Sequence, residues 1–132
     1  MTDELPATEL RFKTGWLLAA KISLVLTFVV GIVPVPVQVP VNNLDKLVHI
    51  ALYFLPATIF AGVFGGQVFS RVIVGLLVFS SGIEMIQYWL PWRSGEWLDI
   101  AANLLGIALG IFAARRSRQI MQWVETVSDR AV

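Results

Sequence analysis

Several ionisable and amide side chains lie within or beside apolar stretches of this chain, where they could bind a ligand or move a proton. Lys46 and Arg93 are cations that could hold phosphate or carboxylate groups. His49 and Glu84 could act as general acid or base, and they are the candidate catalytic residues. The candidate ligand-binding set comprises Asp45, Lys46, His49, Tyr53, Glu84, Gln87, Arg93, Asp99 and Asn103.

Metal and nucleophile chemistry have less support from the residue types. The chain has one histidine and no cysteine, which excludes a two-histidine metal motif, a thiolate site and a thiol nucleophile. His49, Glu84 and Asp99 remain as a metal-capable set, but their spacing does not favour a metal, so we expect no metal and no cofactor. A triad of Ser94, His49 and Asp99 can be written, although Ser94 lacks a nucleophile context.

The composition indicates what kind of element must position these residues. Of 132 residues, 57% are hydrophobic and 14% are charged, whereas a soluble domain has about a quarter of its residues charged. The charges occur in clusters about twenty residues apart, the helix length that crosses a hydrocarbon core of about 30 Å. The chain is therefore predicted to be an integral membrane protein, and its net charge of +1 does not indicate nucleic-acid binding.

Four apolar segments predict four transmembrane helices. Pro56 should kink the second helix, and the three prolines in 34–40 should end the first helix and form an extended ribbon. Residues 65–67 predict a short turn before the third helix. The spans cover about residues 15–33, 45–64, 68–90 and 97–115.

The same pattern predicts how the helices pack. Gly106 and Gly110 permit close approach of two helices, which we expect within the chain rather than between two copies. An amphipathic helix lying on the membrane is predicted after the fourth span, from Ile120, Trp123, Val124 and Val127. The predicted fold class is an all-α membrane protein, a four-helix transmembrane bundle with a short C-terminal amphipathic helix, in a single domain over 1–132.

Basic residues near the span ends predict the orientation. Lys46 and Arg93 lie near one end of the predicted bundle, and seven basic residues lie near the other, so the positive-inside rule places both termini in the cytoplasm. The candidate site residues then fall on the extracytoplasmic side. An acid such as Glu84 facing lipid costs about 2.5 to 3.5 kcal/mol, so it must face protein or a partner charge. The seven basic residues at the end opposite Lys46 and Arg93 are Arg11, Lys13, Lys21, Arg71, Arg115, Arg116 and Arg118.

The order of these residues resembles the VanZ-like family of small bacterial membrane proteins. The resemblance covers about residues 40–115, and it depends on the composite spacing of weak fragments. It implies a four-span unit in the bacterial cytoplasmic (inner) membrane, with a role in the cell envelope and in resistance to the glycopeptide antibiotic teicoplanin. The fragments are Asp45-Lys46-x-x-His49-x-x-x-Tyr53, Glu84-x-x-Gln87, and Pro91-x-Arg93-x-x-Glu96-x-x-Asp99-x-x-x-Asn103-x-x-Gly106-x-x-x-Gly110.

Three functions remain open from the sequence. The first is an outward polar pocket that binds a lipid head group, a lipid-linked cell-wall precursor or a glycopeptide-like ligand. The second is a membrane-embedded enzyme that acts on a lipid-linked substrate by general acid and base catalysis. The third is a structural partner in a membrane complex, in which polar groups only hold helices together. The expected partners are membrane lipids and such an envelope ligand, and the oligomeric state is open.

Overall fold

A computed structural model describes residues 10–34, 44–65, 69–93 and 96–130, and these residues form a bundle of four α-helices without strands. Each helix contains at least 18 residues apolar enough to cross a membrane, which confirms the predicted fold class. Residues 35–40 of the ribbon predicted at 34–40 lie outside the described residues, as do the turn residues 66 and 67. The helices are α1 (Lys13–Ile32), α2 (Leu44–Phe64), α3 (Phe69–Trp89) and α4 (Trp97–Arg130).

The predicted C-terminal helix is continuous with the fourth span. α4 has 34 residues and is about 51 Å long at 1.5 Å per residue, longer than a hydrocarbon core of about 30 Å. Its membrane-spanning part ends at Ala114, and we call residues 115–130 the α4 extension. Ser117 and Arg118 donate hydrogen bonds to carbonyl oxygens of α2, at Thr58 and Gly62. The extension is therefore packed against the bundle through α2.

α2 and α4 form the most extensive helix contact of the bundle. A Cβ atom on Gly106 would lie 2.4 Å from the carbonyl oxygen of Ile50, and one on Gly110 would lie 2.6 Å from that of Phe54. Only glycine lets the two backbones approach this closely. The prediction that these glycines serve packing within the chain is confirmed.

Pro56 lies buried inside α2, and the helix continues through it. Proline has no N–H, so the carbonyl of Leu52, one turn earlier, lacks its usual helical donor. The hydroxyl of Thr27 on α1 lies 3.0 Å from that carbonyl oxygen and 2.9 Å from the carbonyl oxygen of Ser23. Thr27 of α1 thus donates the hydrogen bond that the Leu52 carbonyl cannot receive from Pro56. The predicted kink at Pro56 stays a prediction.

The bundle has two chemically different ends. We call the end where α1 and α3 finish and α2 and α4 begin the site end, and the opposite end the terminus end. At the terminus end, Leu10, Val63 and Met121 form a small apolar core. Glu125 of the α4 extension accepts hydrogen bonds there from the backbone N–H groups of Arg11 and Phe12 and from the Trp16 indole.

Aromatic side chains surround the site end. Tyr88, Trp89 and Trp97 are all exposed on the outside of the bundle, where amphipathic rings meet the membrane–water interface. Tyr88 is 77% exposed, so it lies on the outside of the bundle and not in its interior.

Candidate functional site: a buried polar cluster

Polar side chains from three helices meet at the site end. Lys46 and His49 come from α2, Ser80 and Glu84 from α3, and Asp99 and Asn103 from α4. Each pair is three or four residues apart, so both members lie on one face of their helix. The side chains of Lys46, His49, Glu84 and Asp99 are 17%, 12%, 8% and 8% exposed. We call these six residues the polar cluster.

Asn103 connects the three helices. Its side-chain nitrogen donates to Ser80 Oγ at 2.9 Å and to Glu84 Oε1 at 3.1 Å, and its oxygen lies 2.9 Å from His49 Nδ1. An amide oxygen can only accept, so Nδ1 of His49 carries the hydrogen. In the neutral ring, Nε2 then keeps its lone pair. Asn103 therefore sets the tautomer of His49.

Lys46 is surrounded by carboxylates. Its Nζ atom lies 2.6 Å from Asp45, 2.8 Å from Glu96 and 2.7 Å from Asp99. Asp45 and Glu96 are about half exposed, whereas Asp99 is buried. The positive amino ends of α2 and α4 also favour Asp45 and Asp99, which lie in the first helical turns.

His49 lies between two carboxylates without a hydrogen bond to either. Nδ1 is 3.9 Å from Glu84 Oε1, and Nε2 is 3.9 Å from Asp99 Oδ2. These distances are longer than the roughly 3.2 Å limit of a normal N–H···O hydrogen bond. The ring is thus held by Asn103, and the two acids flank it at a distance that a small ion or a proton-carrying group could bridge.

Two candidate site residues lie next to the end of α1 instead. Gln87 donates to the carbonyl oxygen of Gly31 at 2.8 Å, and Arg93 donates to that of Val30 at 2.6 Å. The indole of Trp92 donates to the carbonyl oxygen of Ile32 in the same turn. The last carbonyls of a helix lack intrahelical donors. In this arrangement the hydrogen bonds of Gln87 and Arg93 among the described residues cap α1 and do not go to the polar cluster.

The other two candidates lie at the edges of the cluster. Asp45 is on the exposed rim beside Lys46. Tyr53 is 2% exposed and packs with Phe79, one helical turn from His49. Ser80 and Glu96 were absent from the candidate set, although Ser80 is four residues from Glu84 and Glu96 three residues from Asp99. The four-residue spacing puts Ser80 and Glu84 on one face of α3, and this could have identified Ser80 as a site residue from the sequence.

An apolar cleft of about 360 Å³ lies elsewhere, among α1, α2 and α3. Leu24, Phe60, Phe79 and Arg71 are among its lining residues, and Arg71 is the only charged one in the part of the chain that the structure describes. No residue of the polar cluster lines it. The cleft and the cluster are therefore separate features.

The fold and the cluster define a four-span helical membrane protein with buried ionisable groups at one end. Residues 8–121 match the family model described as VanZ/LLP1, which covers most of the chain, and the protein belongs to this VanZ-like family. No curated protein and no solved structure matches the chain.

Proposed function

We propose that this VanZ-like protein binds a cell-envelope ligand at its polar cluster, at the extracytoplasmic face of the bacterial inner membrane. The observation that carries the proposal is the burial of Lys46, His49, Glu84 and Asp99 together at one end of the bundle. Burying charged groups costs several kcal/mol each before pairing, and apolar side chains would hold helices together as well. A binding role accounts for such a set.

The charges of the cluster favour a particular chemistry in the ligand. Lys46 is bound to three carboxylates, and Arg93 is bound to backbone carbonyls. The sequence had led us to expect that these two cations hold a phosphate, and a phosphate would have to compete with their present partners. The carboxylates outnumber Lys46, so the site favours ammonium, hydroxyl or amide donors. The ligand is accordingly a lipid-linked or envelope molecule recognised through its donor groups.

The distribution of basic residues supports the orientation. The seven basic residues near the terminus end outnumber Lys46 and Arg93 at the site end, which by the positive-inside rule places both termini in the cytoplasm. The site then lies toward the outer leaflet. A lipid-linked cell-wall precursor or a glycopeptide of the teicoplanin type would meet the protein there, and a role in the response to such antibiotics fits the family.

Direct binding tests this proposal. The wild-type protein in nanodiscs should bind either teicoplanin or a lipid-linked cell-wall precursor, measured by surface plasmon resonance or microscale thermophoresis. Replacing Glu84 with Gln and Asp99 with Asn together should weaken binding about tenfold or more, the effect of losing a charged hydrogen bond. Unchanged affinity for both probes in this double variant would exclude the proposal.

Glu125→Gln is the matched control, because Glu125 is also a buried acid on α4 but lies at the terminus end. It should bind the probe as the wild type does. A melting curve of each variant in the same nanodiscs shows whether a loss of binding merely reflects unfolding.

Catalysis on a lipid-linked substrate is the second candidate. The specific observation in its favour is His49, held by Asn103 in one tautomer with acids 3.9 Å away on both sides. Such a ring can accept and return a proton. Turnover of a lipid-linked precursor by the purified wild type, lost in His49→Gln, would establish it. The absence of turnover with intact binding would leave the binding function alone.

A further inference from the structure

Three metal-ligating side chains of the polar cluster come together from three helices. His49, Glu84 and Asp99 each offer one ligand atom, and these atoms all lie within 4.8 Å of one another. In a zinc site with bonds of about 2.0 to 2.2 Å, ligand atoms are about 3.3 Å apart. Side-chain rotation can shorten the separations from within 4.8 Å to about 3.3 Å, so the helices need not move.

The hydrogen bond to Asn103 leaves one ring nitrogen of His49, Nε2, available to a metal. Metal-binding histidines almost always donate their second ring N–H to a carbonyl or carboxylate, which orients the ring. Here Nδ1 donates to the Asn103 oxygen, and Nε2 is left 3.9 Å from Asp99 Oδ2. Asn103 also donates to Glu84, and Lys46 contacts the other oxygen of Asp99. All three ligands thus have outer partners.

Glu84 lacks the compensation that the other acids have. Asp99 lies at a helix amino end and pairs with Lys46. Glu84 instead lies inside α3, away from a helix amino end, and no lysine or arginine of the described residues forms an ion pair with it. Its one hydrogen bond from the described residues comes from the neutral amide of Asn103. A cation between Glu84, His49 and Asp99 would supply the missing charge.

Tyr53 places a buried hydroxyl next to these ligands that protein groups do not fully satisfy. Its side chain is 2% exposed, and its hydroxyl lies beside Ser80 and close enough to Glu84 to interact with its charge. The hydroxyl has no hydrogen-bond partner of acceptable geometry among the described residues. Zinc sites with three protein ligands keep a water molecule in the fourth position, and such a water is a partner that a buried hydroxyl can take.

We propose that His49, Glu84 and Asp99 bind one divalent transition-metal ion of the zinc type. An imidazole nitrogen with two carboxylate oxygens is a donor set that Zn²⁺ accepts, whereas Mg²⁺ and Ca²⁺ prefer oxygen alone. The exposed acids Asp45 and Glu96 also lie near Asp99. They are already paired with the ammonium of Lys46, so we do not place the metal there. The metal site needs no envelope ligand, so it stands independently of the proposed function.

Zn²⁺ alone is the probe that tests the site. Tag-free protein, stripped with a chelator and placed in nanodiscs, should bind one Zn²⁺ per chain in competition with a chromophoric chelator, and Mg²⁺ should not displace it. His49→Gln, Glu84→Gln and Asp99→Asn should each weaken binding about tenfold to a hundredfold or more. Glu125→Gln should bind as the wild type does. The proposal is wrong if the wild type does not bind one Zn²⁺ per chain. It is also wrong if all three ligand variants bind Zn²⁺ as the wild type does.

A spectroscopic measurement on the wild type avoids any question of variant folding. The chain has one histidine, so ¹⁵N-histidine labelling gives the two nitrogens of a single ring. One equivalent of Zn²⁺ should shift the Nε2 resonance strongly and leave Nδ1 close to its position. If neither nitrogen responds to Zn²⁺, the proposal is wrong, whatever the protein does with teicoplanin or a lipid-linked precursor.

Discussion

Lys46 is the residue on which the charge balance of the polar cluster depends. It contacts two exposed acids and the buried Asp99, and it is the one ammonium group in contact with the cluster among the described residues. A buried ion pair adds little net stability, but removing one partner leaves an uncompensated charge. Replacing Lys46 alone should therefore lower stability more than replacing Lys46 and Asp99 together.

Lys46→Met is expected to destabilise the protein by up to about 3 kcal/mol, the lower part of the range for breaking a buried pair, because the Lys46 side chain is 17% exposed. Asp99→Asn in the same background removes the unpaired charge and should restore much of the loss. Reversible unfolding in mixed detergent micelles measures both. Additive losses in the double variant would contradict a direct pair between the two residues.

At the scale of elements, the contact between α2 and α4 sets the geometry of the site. These helices carry four of the six cluster residues, and Gly106 lies one turn from Asn103 against the backbone of Ile50, next to His49. Any side chain at Gly106 must push the two helices apart. Packing at this glycine and the distances in the cluster are thus coupled.

Gly106→Ala should lower stability by about 1 to 3 kcal/mol, the usual cost of overpacking, and should weaken Zn²⁺ binding as α2 and α4 separate. Gly82→Ala is the matched control, since a Cβ atom there meets nothing within 4 Å. That change should be neutral or stabilise α3 by up to about 1 kcal/mol, because alanine is the better helix former. Thermal melting and the zinc titration measure both. Equal effects of the two changes would refute the role of Gly106.

The α4 extension provides the amino-terminal cap of α1. α1 has no side-chain cap of its own at Phe12. Glu125 accepts from the N–H groups of Arg11 and Phe12, at 3.0 and 3.1 Å, although more than a hundred residues separate them in sequence. A carboxylate at a helix amino end satisfies free donors and interacts well with the dipole.

Glu125→Leu should therefore make the amides of Arg11 and Phe12 exchange with solvent about tenfold faster or more, since charged hydrogen bonds contribute about 1.5 to 3 kcal/mol. Hydrogen exchange read by NMR or mass spectrometry measures this. Asp129→Asn is the control, because the ion pair of Asp129 with Arg11 is exposed at both side chains and adds little. Unchanged exchange in Glu125→Leu would mean that the cap does not form in the membrane.

At the scale of the whole molecule, the orientation in the membrane decides which compartment reaches the site. Four spans place the two ends of the described bundle on one side of a membrane, and under the proposed orientation the basic residues make that side the cytoplasmic one. The polar cluster would then lie at the opposite side. An inverted bundle would present the same cluster to the cytoplasm and remove its access to the outer leaflet.

The absence of cysteine makes this orientation directly measurable. Pro34→Cys at the site end should react with a membrane-impermeant maleimide in intact spheroplasts. Ser128→Cys at the terminus end should react only after the membrane is permeabilised. The opposite pattern would place the site in the cytoplasm and overturn the proposed function, while leaving the zinc proposal untouched.

The number, length and limits of the membrane helices could be read from the sequence. Within a bilayer each backbone polar group must bond inside its own segment, so an apolar run of sufficient length becomes a helix whatever its neighbours do. Hydropathy is a local property, and the observed helix ends lie within about two residues of the predicted spans, within the usual scatter of boundary assignment. α4 alone extends further, because Arg115, Arg116 and Arg118 mark the end of the hydrocarbon core and not the end of a helix.

The partner of each polar side chain was decided by tertiary structure. Glu84 and Gln87 lie three residues apart on one face of α3, yet Glu84 bonds to Asn103 of α4 while Gln87 bonds to Gly31 of α1. Periodicity shows which face of a helix is polar, but the rotation and depth of neighbouring helices choose the partner. Close packing at Gly106 sets that rotation for α2 and α4. The sequence by itself determined a four-span VanZ-like protein with polar groups at one end. Only the packing of α2, α3 and α4 brought His49, Glu84 and Asp99 together. Contacts between distant segments depend on three-dimensional geometry that no local pattern contains.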